Sequence, residues 1–172
     1  MARRDPERRL VLVRHAKADY PEGVDDHDRP LTERGERDAV ALGRLLHDTC
    51  WPDMVLCSTS VRTRRTWELA EGQADEPVTV RYEPSLYLAS PRAVLGLVRG
   101  TSDDARCLVV VGHNPGTHEL AVALAGRGDK EQLAALAEKL PTAGVVVLGV
   151  DGGWDDLAEG GARLEQVSAA RG

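Results

Sequence analysis

The stretch RRLVLVRHAKADYPEG, residues 8–23, decides how the rest of the chain reads. An unbroken apolar run, Leu10 to Val13, leads straight into Arg14 and His15. Short runs without polar alternation belong to strands covered on both faces, as in parallel sheets. One reading has the strand simply reach the surface at Arg14. The other follows from where ligands bind in α/β folds, beyond the carboxyl ends of the strands. An arginine and a histidine placed there form an anion site.

The same pattern recurs along the chain. Residues 31–48, LTERGERDAVALGRLLHD, have the periodicity of a helix. Thr32 is its N-cap, Glu33 and Glu36 lie in its first turn, and Ala39, Leu42 and Leu46 share one face. Residues 53–58 form a second strand, 61–72 a helix and 78–82 a short strand. Ser90, Pro91 and Gly100 bound a helix over 90–100. Residues 106–113, RCLVVVGH, are another buried strand. Helices over 117–126 and 129–141, a strand over 143–150 and a last edge strand over 162–167 complete the order. The Gly-rich tail is expected to be partly ordered at best in its final residues. This alternation predicts a three-layer α/β/α sandwich with a mostly parallel central sheet, in a single domain spanning residues 1–172.

Composition sets limits. Apolar residues make up 42% of the chain, but aromatics only 3% with no Phe, so the core must be Leu, Val and Ala. Trp51, Trp67 and Trp154 are read as packing residues. The net charge of −6 argues against nucleic-acid and anionic-membrane partners, so any anion site must be a local cluster of arginines. No stretch approaches the roughly 18 apolar residues of a membrane span. The basic opening MARRDPERRL precedes too short an apolar run for a secretory leader. Cys50, Cys57 and Cys107, odd in number and irregular in spacing, suggest small buried hydrophobes in a reducing, cytoplasmic setting.

Three strand ends carry the polar residues: Arg14-His15, the turn STSVR over 58–62, and Gly112-His113-Asn114. In a parallel sheet they arrive at one rim. Two arginines and two histidines there suit a phosphoryl group. Arginine is a planar, permanently charged, bidentate donor, and phosphoryl transfer needs mainly positioning and charge neutralisation. A neutral imidazole attacks phosphorus, and a second, protonated one helps neutralise the equatorial oxygens. Helix N-termini after Ser60 and Gly116 add backbone donors. The run DDHD, residues 25–28, invites a metal-dependent hydrolase. Its polar surroundings, between Gly23 and Pro30, make a solvated loop the preferred reading. No metal or cofactor is expected. Arg29, in the same loop, and Asn114, beside His113, are further candidate substrate contacts.

With these residues in place, LVLVRHAKA resembles the Arg-His-Gly signature of the histidine phosphatase superfamily, branch 1, which includes the phosphoglycerate mutases. The nearest likeness is to its small SixA-type phosphohistidine phosphatases. DDHDRPLTERGERDA, LCSTSVRTRRTWELA, LVVVGHNPGTHELA and LPTAGVVVL follow in the family's order. The resemblance implies a phosphoglycerate mutase-like fold with His15 as the phosphorylated nucleophile. Arg14 and Arg62 would bind the phosphoryl oxygens, and His113 would be the second histidine of the pocket. Arg62 is preferred over Arg64 and Arg65 by its distance from the Ser-rich turn.

The chain departs from the family in four places. Ala16 stands where Gly is frequent, and Ser58-Thr59 where Ser-Pro is common. The insertion that covers larger substrates is missing. The segment after the third strand, RYEPSLYLAS, offers only Glu83 as a proton donor, with Asp19 the other nearby carboxylate. An alkoxide leaving group needs such an acid, worth about 10²–10⁴-fold. A phosphohistidine leaves as imidazole, whose far nitrogen takes a proton from solvent. The expectation is therefore a phosphatase acting on phosphohistidine in a protein. The alternatives are a small-molecule phosphomonoesterase and a non-catalytic phosphate- or phosphoprotein-binding module. The intact Arg14, His15, Arg62, His113 quartet speaks against a pure binder.

Overall fold

The structure, a computed structural model, describes residues 6–172; the start of the basic opening stretch lies outside the described residues. The chain begins with β1 (Arg8–Arg14), α1 (Glu33–Thr49), β2 (Met54–Ser58), α2 (Val61–Glu71) and β3 (Thr79–Glu83). It continues with α3 (Pro91–Arg99), β4 (Cys107–Gly112), α4 (Gly116–Leu124), β5 (Ala125–Gly128) and α5 (Lys130–Glu138). It closes with β6 (Gly144–Val150) and β7 (Ala162–Ala169). Helix starts follow the expected chemistry: the side chains of Thr32, Ser60 and Ser90 accept from the N–H groups of Gly35, Thr63 and Ala93.

The strands form one sheet in the order β3-β2-β4-β1-β6-β7-β5. Strands β2, β4 and β1 are parallel neighbours, and β6 runs antiparallel to both β1 and β7. Successive side chains of a strand point to opposite faces, and β1 divides accordingly. Leu10 and Leu12 join Val94, Val98, Leu120 and Leu136 from α3, α4 and α5. Val11 and Val13 join Ala39, Leu42 and Leu46 from α1 and Trp67 from α2. Both faces are thus covered, giving the α/β/α layering and placing every β1 side chain from Leu10 to Val13 out of solvent.

Three expectations are corrected. The C-terminal strand is not an edge: β7 lies between β6 and β5. The tail is ordered to its end, where Ala170 N–H donates to the Ala143 carbonyl and Gly172 N–H to the buried Asp38 carboxylate. The cysteines are not all free: Cys50 and Cys107 are bonded across 57 residues, leaving Cys57 as a buried thiol. With that pair formed, the cysteine count no longer argues for a reducing compartment. Among the described residues no helix is long and apolar enough to cross a membrane.

Candidate active site

The adjacent strands β1, β4 and β2 end at one level, with Arg14 paired to Gly112 and Cys57 to Val111. His15 follows directly and is pinned by its own backbone. Its N–H donates to the Gly112 carbonyl (3.1 Å), and its carbonyl accepts from Ala143 N–H (3.0 Å). His113 leaves β4 beside it, and the two imidazole centroids are 5.4 Å apart. Arg62 rises from the first turn of α2, only 2% exposed. The Thr66 hydroxyl fastens α2 to the segment after β1, donating to the Arg62 carbonyl and accepting from Ala16 N–H. Gly116 is required by close approach: a Cβ there would lie 2.0 Å from the Ala89 carbonyl oxygen. The bare backbone lets the start of α4 seat against residues 89–90, and just before them the Tyr87 ring stands edge-on to His113 at 5.4 Å.

The hydrogen bonds fix the tautomers. Arginine only donates and a carbonyl only accepts. The Arg62 Nε–H donates to His15 Nε2 (3.3 Å), so that nitrogen carries a lone pair; Nδ1–H of the same ring donates to the Ala16 carbonyl (2.7 Å). Arg62 Nη2 donates to His113 Nδ1 (3.3 Å), which leaves the proton on Nε2, 2.8 Å from Ser58 Oγ. Both rings are neutral. Burial is the main cause, pushing His15 down to about 4 with Arg62 and Arg14 adding to the fall. Burial likewise pushes His113 down to about 3, with His15 and Arg62 contributing. The second histidine, expected from the sequence to be protonated, is therefore neutral.

The remaining candidates divide. Arg14 donates from Nη1 to the Leu140 carbonyl (3.2 Å), while its Nε is buried with no partner among the described residues. Asn114 spends its amide nitrogen on the same carbonyl (2.9 Å). Arg29 donates to the Asp19 carbonyl and the Asp26 carboxylate and stacks on Tyr20. Glu83 is paired with Arg81, and Asp19 accepts from Tyr20 N–H; neither hydrogen-bonds to His15 or His113. Asp25, Asp26 and Asp28 are exposed, as the solvated-loop reading has it, but Asp26 is engaged there by other side chains. Its Oδ2 accepts from Arg62 Nη2 (3.0 Å) and the Tyr87 hydroxyl, its Oδ1 from Arg29 Nη1 (2.9 Å), and its carbonyl from Arg62 Nη1 (2.6 Å). His27, next in line, reaches Thr59 Oγ1 (3.0 Å) and meets the Tyr87 ring edge-on. Sequence reasoning missed Asp26, Tyr87, Ser58 and Thr66. The one signal for Asp26 was its place in the DDHDRPLTERGERDA block.

This geometry can be compared with known proteins. A family model of the histidine phosphatase superfamily (branch 1) matches residues 10–86. The candidate phosphohistidine phosphatase SixA of Nakamurella multipartitia is 34% identical, over 96% of this chain and 99% of that one, with a TM-score of 0.81. This chain belongs to the histidine phosphatase superfamily. A candidate SixA of Agrobacterium tumefaciens gives 30% identity and a TM-score of 0.79, over 94% and 97% of the two chains. The uncharacterized protein Rv1276c of Mycobacterium tuberculosis is 43% identical over 155 residues, 88% of this chain and 96% of that one. The fold is that of the phosphoglycerate mutase-like histidine phosphatases, and the chain is a histidine-dependent phosphatase.

Proposed function

We propose that this histidine phosphatase removes the phosphoryl group from phosphohistidine on a protein, through a covalent intermediate on Nε2 of His15. The observation that carries the reading is the His15 ring itself. Its Nδ1–H is held by a main-chain carbonyl, and its Nε2 lone pair is turned to Arg62, whose Nε–H it accepts. That lone pair attacks phosphorus while the substrate's P–N bond breaks, and the departing imidazole keeps the electron pair and takes a proton from solvent. Water then attacks the phosphorus, the N–P bond to His15 breaks, and inorganic phosphate leaves. The two Arg62 N–H groups now aimed at the histidines turn to the phosphoryl oxygens. The unpartnered Arg14 Nε–H is a buried donor that an oxyanion satisfies. His113, donating to Ser58, completes the pocket.

The choice of phosphohistidine over an ester rests on the acid. Neither Glu83 nor Asp19 contacts the histidine pair, and only an alkoxide needs one. Two neighbours of 30% identity or more are themselves described as candidate phosphohistidine phosphatases, which supports the same assignment. No metal enters any step. The test compares a phosphohistidine protein with a panel of sugar and nucleotide phosphates, each with and without chelator. The expected outcome is a kcat/KM higher for the phosphohistidine protein by about 10²-fold or more, unchanged by chelation. Preferred turnover of a sugar phosphate, or activity lost to the chelator, contradicts the proposal.

A further inference from the structure

The bonds around Arg62 fall on two edges of one plane. On the inner edge, Nε–H points to His15 Nε2 and one Nη2–H to His113 Nδ1. On the outer edge, the other Nη2–H reaches Asp26 Oδ2 and an Nη1–H reaches the Asp26 carbonyl. We infer that Asp26 is a positioning residue: it grips the outer edge of the Arg62 guanidinium so that the inner edge faces the gap between the two histidines. The inference rests on the site reading above and concerns a residue that touches neither imidazole.

Asp26 is itself held in place. The Tyr87 hydroxyl donates to the same Oδ2 that takes Arg62, and Arg29 donates to Oδ1. Arg29 is in turn stacked 3.5 Å over the Tyr20 ring, and Tyr87 packs edge-on against both His113 and His27. The carboxylate is therefore fixed from two sides before it meets Arg62. Hydrogen bonds from Tyr87, Arg29 and Arg62 hold it well below the usual carboxylate range, so it stays ionised and matches the guanidinium charge. A charged carboxylate with both oxygens engaged is a poor proton donor and repels a phosphoryl oxygen. Its effect on the reaction therefore passes through Arg62. Geometry is what phosphoryl transfer draws on, and a misplacement of about 1 Å costs up to about 10²-fold.

Asp26→Asn tests this. The carboxamide keeps the size of the side chain but has one acceptor oxygen where Arg62, Tyr87 and Arg29 now share two. The expected result is a kcat lower by about 10- to 100-fold with KM little changed. The fall should be equal for phosphohistidine and for esters of varied leaving-group acidity. In an Arg62→Ala background the same substitution should add nothing. Nitrogen-resolved NMR supplies a readout independent of turnover: the Arg62 Nε–H signal, protected in the wild type, should exchange faster in the variant. An unchanged kcat overturns the inference, as does a further fall in the Arg62→Ala background. So does a loss confined to poor leaving groups, which would make Asp26 a proton donor. Should Arg62→Ala match the wild type, the site reading falls and this inference with it. An unaltered Nε–H signal in Asp26→Asn sinks the inference alone.

Discussion

An imidazole attacks phosphorus only in its neutral form, and His15 is built to stay neutral. With an ordinary value near 6.5, about 3% of the ring would be neutral at pH 5. Burial, with Arg62, Arg14 and Arg29 adding to the fall, brings His15 down to about 4, so most of the ring stays neutral there. A nitrogen-15 NMR titration should place its midpoint near 4; a midpoint near 6.5 would show that the ring is not shielded as described. The same shift has a stability sign. Between about pH 6.5 and 4 the unfolded chain binds a proton at His15 that the folded chain refuses, so stability falls as the pH drops through that window. His113 extends the window to about 3. At this scale the sequence was informative where chemistry and position coincide. Arg14 ends a strand, and His15, Arg62 and His113 each come within a few residues after one. Asp26 and Tyr87 were hidden because their partner Arg62 lies 36 and 25 residues away in the chain.

The elements carry the site by close backbone approach, and α4 is the clearest case. Gly116 lets its first turn touch the Ala89 carbonyl, two residues from the Tyr87 ring that packs on His113. Gly116→Ala should force the two segments apart, lowering stability by about 1–3 kcal/mol and reducing kcat more than KM. Chemical denaturation and steady-state kinetics read both effects, and an unchanged stability would show that the contact is not tight. Of the six strands that sequence located, β1, β4 and β6 are continuous apolar runs buried throughout their apolar positions. Strand β5, Ala-Gly-Arg-Gly, has no such run and is mostly exposed, so its first two residues were taken into the preceding helix and its last two left as a connection. Missing β5 also made β7 look like an edge. The Cys50–Cys107 pair was invisible for a related reason, since an isolated pair 57 residues apart has no spacing signature.

Across the whole molecule, the geometry of the candidate site is a product of strand order. Only because β4 lies between β1 and β2 do Arg14-His15, His113 and Arg62 reach one rim from segments far apart in the chain. The alternation of strands and helices foretold a shared rim, but not that these three strands are consecutive neighbours, nor that the tail would lie inside the sheet. With a net charge of −6, the pair Arg14 and Arg62 is a local exception in an acidic protein. The central claim, that Nε2 of His15 accepts the phosphoryl group, is most directly tested by trapping the intermediate. Protein quenched in alkali during turnover should carry one phosphoryl group on residue 15, with phosphorus-31 NMR reporting attachment through Nε2, and His15→Ala should carry none and turn nothing over. Phosphorylation of His113 instead, attachment through Nδ1, or full activity in His15→Ala would contradict the account.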